Sequence, residues 1–275
     1  MKKVAIQGIE TSFHHVAALK HFGKDIEISK CSSFKETCDQ LKEGKVDYAI
    51  MAIENTIAGC LLANFFLLKD YKLKVVGEVY LHIQMNLMAK KGVKKEDIKA
   101  VQSHPIAIRQ CGAFLNTMNG IQVMEKMDTA ACAKEISEQG LMDTAAIANE
   151  MAAEEFGLEI IEKRIETNKQ NFTRFFILGK ENEEIKEANK ATLSFQLGHS
   201  VGSLSGALSI LSENNINLTM IQSIPIIGSP NDYLFNVDVQ WDNRDDYDKA
   251  LYKLLRNVAN LSIMGEYIKA ERPNI

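Results

Sequence analysis

Short β-branched runs alternate with helically periodic segments as far as Leu178, and that alternation is what most restricts the fold. Strand candidates are Val4–Gln7, Ile26–Ser29, Val46–Ile53, Leu73–Leu81, Ala100–Gln102, Gln122–Met124, Thr144–Ala148 and Phe172–Leu178. Between them Phe34, Cys38 and Leu41, and again Ile108, Cys111 and Leu115, recur at the spacing of a helix with one buried stripe. Parallel strands need a long crossover, which a helix supplies, so this rhythm predicts an α/β fold with largely parallel pairing.

A chain of 275 residues and 30.8 kDa is long for one compact domain and fits two. The best linker is Lys180–Lys190, KENEEIKEANK, which holds a single large apolar residue. This divides the chain into residues 1–180 and 191–275. The second part has its own pattern. Leu193, Phe195 and Leu197 alternate as in a strand, and Val201, Leu204, Leu208 and Leu211 follow at helical spacing. Ile216 to Ile227 is extended, and Gly228–Asp232 reads as a turn. Tyr233, Phe235, Val237, Val239 and Trp241 then share one strand face, opposite Asn236, Asp238 and Gln240. A helix carrying Tyr247, Leu251, Leu254, Leu255 and Val258 precedes a closing strand at Leu261–Tyr267. The order βαββαβ is ferredoxin-like. So small a sheet leaves one face and one edge free, which favours pairing with another copy.

Composition narrows the function. The apolar fraction is 46%, the charged fraction 25% and the net charge −4, so no broad basic surface for nucleic acid is implied. The longest apolar stretch, around Leu61–Leu68, falls well short of the ~20 residues that span a membrane, and the N-terminus lacks a signal-peptide core. Five cysteines without a close pair, and six histidines without a His-Glu-x-x-His pattern, offer neither a disulfide framework nor a metal site. The expectation is a reduced, cytoplasmic, metal-free protein. Neither the dinucleotide fingerprint nor the P-loop pattern is present, which disfavours a nucleotide enzyme.

Several strand-to-helix turns carry hydroxyl or amide residues: Ser12, Asn55 with Thr56, Ser103 with His104, and Thr129. In open α/β sheets such turns gather at the carboxyl ends of the strands, where ligands bind, and helix N-termini attract anions. The same residue types also cap helices without further function. Together the four turns suggest a cleft for an oxygen-rich anion.

Three strings sharpen this: DYAIMAIENTIAG (Asp47–Gly59), SHPIAIRQC (Ser103–Cys111) and NFTRFFILG (Asn171–Gly179) resemble the prephenate dehydratase family in family order. The resemblance continues through Ala145–Leu158, and Gly206–Pro225 is similar to the ACT regulatory domain that such enzymes carry. It extends over nearly the whole chain and points to the monofunctional form. The resemblance implies a two-lobed, periplasmic-binding-protein-like catalytic domain followed by the ACT domain. It further implies cofactor-free conversion of prephenate to phenylpyruvate in phenylalanine biosynthesis, and a homodimer or homotetramer inhibited by L-phenylalanine at paired ACT domains.

By the same resemblance Thr173 carries the central chemistry, donating to the leaving oxygen, with Arg174 and Phe175 beside it. A regular strand places Arg174 on the face opposite Thr173 and Phe175, so it either breaks that regularity or pairs from behind with a carboxylate. Substrate-binding positions are Ser12, Glu54, Asn55, Thr56, Ser103, His104, Gln110 and Thr129. Effector-binding positions are Gly206, Ala207, Leu208, Asn217, Leu218 and Ser223. The chain departs from the family in three places. The family's Gly-Pro-Glu-Gly-Thr-Phe-Ser loop is Gly8-Ile9-Glu10-Thr11-Ser12-Phe13-His14 here, Asp128 replaces the serine usual before Thr129, and Glu-Ser-Arg-Pro becomes Gln222-Ser223-Ile224-Pro225. Two other readings stay open: arogenate as substrate, and an amino-acid sensor without chemistry.

Overall fold

The structure is a computed structural model that describes residues 1–180, 185–226 and 228–271. Its elements in chain order are β1 (Lys2–Gln7), α1 (Phe13–Phe22), β2 (Ile26–Cys31), α2 (Phe34–Lys42), β3 (Tyr48–Asn55), β4 (Gly59–Cys60), α3 (Leu62–Tyr71) and β5 (Lys74–His82). There follow β6 (Asn86–Ala89), β7 (Ala100–Ser103), α4 (Pro105–Gln110), α5 (Gly112–Leu115), β8 (Gln122–Glu125), α6 (Thr129–Gln139), β9 (Thr144–Ala148), α7 (Glu150–Glu155), β10 (Glu159–Glu162) and β11 (Phe172–Gly179). The last elements are β12 (Lys190–Gln196), α8 (Ser203–Glu213), β13 (Asn217–Pro225), β14 (Tyr233–Gln240), α9 (Arg244–Asn257) and β15 (Ala259–Tyr267). Two compact units divide them: residues 1–61 with 79–175, and residues 62–78 with 176–271. Helix α3 and the first half of β5 thus group with the C-terminal part of the chain. The four residues 181–184 of the linker segment, and Ile227 of the extended segment before the turn, lie outside the described residues.

The first unit is organised by two sheets. One runs in the order β2-β1-β3-β11-β5, with β4 on β3; the other runs β10-β6-β9-β7-β8. Strands β1, β2 and β3 pair in parallel, as the strand–helix alternation predicts. The second sheet is mixed: β7 is parallel to β8 and β9, but β6 is antiparallel to both β9 and β10. Strands β6 and β10 escape the sequence pattern because they are four residues each and show no alternation; β6 is buried along its whole length. The chain enters the second sheet after β5 and returns to the first through β11, which gives two lobes joined by two crossings.

Local signals set the helix starts. Ser12, Ser33, Asp128 and Asn149 hold extended backbone just before α1, α2, α6 and α7, and each side chain accepts from a backbone N–H of the first turn. Strand β3 is buried without interruption from Ala49 to Ile53, as expected of a central parallel strand covered on both faces.

In the second unit β12, β13, β14 and β15 form an antiparallel sheet in the order β13-β14-β12-β15, the ferredoxin-like arrangement. Helices α8 and α9 close one face, over a core that includes Leu193, Phe195, Leu211, Val237, Val239, Trp241 and Leu254. The other face is not free, contrary to the expectation for so small a sheet. Asn236 and Asp238 are buried. Thr192 donates to Asp238 at 2.7 Å and shares a 2.8 Å hydrogen bond with Tyr267. Residues from β5 cover this face. Lys190 is buried against Glu78 at 2.9 Å, and a Cβ on Gly265 would stand 2.0 Å from the Val75 carbonyl oxygen. Among the described residues no helix is long and apolar enough to cross a membrane.

Candidate active site

A cavity of about 350 Å³ opens within the first unit, lined from both of its sheets. Strand β11 contributes Thr173 and Phe175, two residues apart and therefore on one face. Strand β3 contributes Asn55, α4 and its start contribute His104, Ile106, Ala107 and Gln110, and the start of α6 contributes Met127, Asp128 and Thr129. The loop after β1 adds Ser12, Phe13 and His14. Of the residues expected at the site, Ser12, Asn55, His104, Gln110, Thr129, Thr173 and Phe175 are brought together here.

Asn55 organises the strand side. Its Oδ1 accepts from the N–H groups of Ile57 and Ala58 at 3.0 and 2.8 Å, so that end of the amide must be the oxygen. Its Nδ2 then donates to Asn171 Oδ1 at 2.8 Å and to Thr173 Oγ1 at 2.9 Å, with a longer contact of 3.2 Å to the Phe172 carbonyl. Asn171 Nδ2 donates onward to Gln110 Oε1 at 2.9 Å, linking the first sheet to α4. Two consequences follow from donor and acceptor counting. The Thr173 hydroxyl, accepting from Asn55, keeps its own hydrogen for another acceptor. Gln110, its oxygen engaged, keeps its N–H2 end for a ligand.

Four expected site residues are not brought into this wall. Arg174 is buried on the opposite face of β11, with its guanidinium 3.9 Å from Glu54 and over the Tyr80 ring. The regular strand holds, and Arg174 pairs from behind with the Glu54 carboxylate. Glu54 faces away from Asn55 for the same reason of alternation. Ser103 donates its hydroxyl to the Ile147 carbonyl at 2.7 Å and is fully buried in the second sheet. Thr56 latches the chain, accepting from Phe172 N–H and donating to the Gln170 carbonyl, both at 2.9 Å.

Sequence reasoning overlooked two residues. Asn171, fully buried, is the bridge between Asn55 and Gln110, and its signal is its place two residues before Thr173. His14 considered only as a metal ligand gives nothing; in the structure it lines the cavity, edge-on to Phe34 and Phe175 at ring distances of 5.2 Å. Burial pushes its pKa down to about 4, which keeps it neutral, and its Nε2 has no hydrogen-bond partner. His104 is also held neutral by burial, and its Nδ1 accepts from Ile106 N–H, which assigns the hydrogen to Nε2. Burial raises the pKa of Asp128, although two backbone N–H groups of α6 oppose the shift.

The loop of Gly8–His14 has a threonine, Thr11, where the family pattern has its second glycine. Gly8 has φ 97° and Thr11 φ 70°, a left-handed conformation rare for a β-branched residue. His15 Nδ1 accepts from Thr11 N–H at 2.9 Å and Asn149 Nδ2 donates to the Thr11 carbonyl at 2.6 Å, which pin the strained residue. The six expected effector residues lie in the second unit. Gly206, Ala207 and Leu208 are on α8, with Ala207 in the core, while Asn217, Leu218 and Ser223 are on β13.

The sequence model of the family described as prephenate dehydratase matches residues 4–183. The arogenate dehydratase/prephenate dehydratase 1, chloroplastic, of Arabidopsis thaliana is 35% identical over 282 residues, which cover 96% of this chain and 71% of the relative. Among solved structures, one described as "GqqA, a novel type of quorum quenching acylases" superposes with a TM-score of 0.87 at 26% identity, covering 98% of each chain. The prephenate dehydratase of Arthrobacter aurescens in complex with L-Phe superposes with a TM-score of 0.86 at 24% identity, covering 99% of this chain and 92% of that one. The family match over most of the chain, together with the plant relative, shows that the chain belongs to the prephenate dehydratase family.

Proposed function

We propose that the cavity of the first unit is where this hydro-lyase acts, and that Thr173 is its catalytic residue. The reaction converts the prephenate dianion to phenylpyruvate, carbon dioxide and hydroxide. The bond to the ring carboxylate breaks, its electron pair enters the ring, and the carbon–oxygen bond opposite breaks as the ring becomes aromatic. Charge develops on the departing oxygen, so a donor placed there acts in the transition state and not before. The observation that carries this reading is the 2.9 Å hydrogen bond from Asn55 to Thr173 Oγ1, which leaves the hydroxyl hydrogen to donate to that oxygen. Phe13, Phe34, Ile83, Met85, Ile106 and Phe175 make the remaining wall apolar and keep water from the reacting ring.

Acylase activity, which the description of one structural neighbour names, would call in this cavity for a hydroxyl activated by a base within hydrogen-bond reach. Among the described residues none of the three cavity hydroxyls, of Ser12, Thr129 and Thr173, is bonded to an imidazole. Ser12 Oγ accepts from the backbone N–H of His15, and Thr173 Oγ1 accepts from Asn55. The dehydratase is the reading that the geometry favours.

Residues 1–180 are proposed as the catalytic domain and 191–275 as an ACT regulatory domain that pairs with a second copy, giving a dimer or tetramer in the cytoplasm. L-phenylalanine, present in the Arthrobacter complex, is the effector proposed for it. The primary test is phenylpyruvate formation from prephenate by purified, chelator-treated protein beside Thr173→Ala. Turnover that falls by ~10²- to 10⁴-fold in a folded variant is expected. Wild-type rates in the variant would remove Thr173 from the chemistry, and a wild type inert with both prephenate and arogenate would remove the dehydratase reading itself.

A further inference from the structure

Asp128 stands where the family pattern has a serine, and the structure places it in the cavity wall. Part of its role is one that serine also performs: Oδ1 accepts from Ala131 N–H at 2.7 Å and caps α6. The carboxylate has a second oxygen that serine lacks. Oδ2 lies against the backbone of Gly8 at the end of β1, so close that a Cβ there would stand 2.6 Å away. Gly8 is needed for this approach both by space and by its φ of 97°. A carboxylate carried by the second sheet is thus held against the loop of the first.

The described residues that line the cavity with it hold no fixed counter-charge. Among the described lining residues there is neither lysine nor arginine. His104 is the imidazole whose charge acts on Asp128, but burial disfavours its protonation. Lys126, two residues away, pairs with Glu135 at 3.2 Å. His14 in the same wall is neutral. A half-desolvated carboxylate without a cation is costly, and a substrate carrying two further carboxylates adds like-charge repulsion. A substrate that also carries an ammonium group relieves both.

We propose that Asp128 makes this enzyme select the amino-acid form of its substrate, arogenate, over the keto form, prephenate, the carboxylate accepting a hydrogen bond from the substrate ammonium. The proposal rests on the dehydratase reading and deepens it. The bonds that break are the same in the two acids. Arogenate, a mono-anion overall, gives zwitterionic phenylalanine, carbon dioxide and hydroxide, so atoms and charge balance without a further reactant. Discrimination therefore falls on the one substituent that differs, and prephenate remains the poorer substrate.

The test compares kcat/KM for both acids in the wild type, Asp128→Ser and Asp128→Asn. Serine keeps the helix cap, and asparagine keeps the shape while removing the charge. The wild type is expected to favour arogenate, and both variants to move the ratio toward prephenate by about tenfold or more. The ammonium contact is made in ground and transition states alike, so the change should appear mainly as a higher KM for arogenate. A merely structural cap would instead lower both acids together. A ratio unmoved in both variants, or a wild type that favours prephenate, overturns the proposal. A wild type that turns over neither acid overturns the dehydratase reading, and this one with it.

Discussion

The two walls of the cavity are built on opposite terms. On the side of β3, β11 and α4, Asn55, Asn171, Thr173 and Gln110 are joined in one chain of hydrogen bonds between 2.8 and 2.9 Å. On the side of the first loop, Thr11 Oγ1 and His14 Nε2 are buried without partners, and Thr11 is held in a left-handed conformation. A connected network restricts the rotamer of each member and so positions the two donors it leaves open, the Thr173 hydroxyl and the Gln110 amide. Strained backbone and orphaned atoms cost folding energy, and of the two orphans His14 Nε2 belongs to a residue that lines the cavity, where a bound ligand can partner it. On the proposed reading the comparison teaches a division of labour: one wall aims the Thr173 hydroxyl, and the other leaves a neutral imidazole nitrogen for the substrate.

The sharpest way to break that division is to turn the donor end of Asn55, which serves Asn171 as well as Thr173, into an acceptor without changing shape. In Asn55→Asp the side chain still accepts from Ile57 and Ala58, but the end facing Thr173 becomes an acceptor. The Thr173 hydroxyl then turns its hydrogen toward the new carboxylate and away from the cavity. The expected result is a kcat lower by ~10²- to 10³-fold, the scale of one lost transition-state donor, while circular dichroism and thermal unfolding show a folded protein. Wild-type kcat in this variant would mean that the direction of the Thr173 hydroxyl does not matter.

How much of this is legible in the sequence follows the same division. The hydrogen-bonded wall is readable in part because strand alternation is a strict rule: Thr173 and Phe175 share a face, and Arg174 must lie behind it. Alternation alone does not say which face of β7 meets the cavity, so Ser103, which bonds to β9, could not be separated from its neighbour His104. Asn171 is two residues before Thr173 and shares its face, a signal present in the string NFTRFFILG but outweighed there by the Thr-Arg-Phe triplet. The second wall is poorly legible because its properties are tertiary. Nothing local to His14 announces that Phe34 and Phe175 will enclose it, and nothing local to Asp128 announces Gly8. In the C-terminal sheet the alternation predicts a polar outer face, but residues of β5, distant in sequence, cover it and bury Asp238.

The orphaned wall makes a second, smaller prediction. His14 is neutral in the folded chain and its pKa is about 4, whereas an unfolded histidine titrates near its ordinary value of 6.5. Between those two values the unfolded chain binds the proton and the folded chain does not, so stability rises with pH across that window. Equivalently, stability fully present above 6.5 is lost as the pH falls toward 4, by about 3 kcal/mol for this group alone. Urea unfolding at a series of pH values should show a flatter profile in His14→Phe than in the wild type. His15, His21 and His104 are shifted in the same direction, so part of the slope should persist in the variant. Identical slopes would place His14 in contact with water.

The smallest expected effect concerns Thr11 and runs toward greater stability. The residue stands at the position of the family loop's second glycine, yet its φ of 70° is the conformation for which glycine is suited. A β-branched side chain pays ~1–2 kcal/mol in that region, and the buried hydroxyl of Thr11 has no partner. Thr11→Gly removes both costs. It also frees the unfolded backbone, which offsets ~1 kcal/mol of the gain. The Thr11 N–H and carbonyl, held by His15 and Asn149, are main-chain groups and survive the substitution. The net expectation is a variant more stable by up to ~1 kcal/mol, read as a shift of the urea midpoint with unchanged slope. A less stable Thr11→Gly would mean that the threonine side chain makes a favourable contact, and the loop would then belong with the hydrogen-bonded side of the comparison.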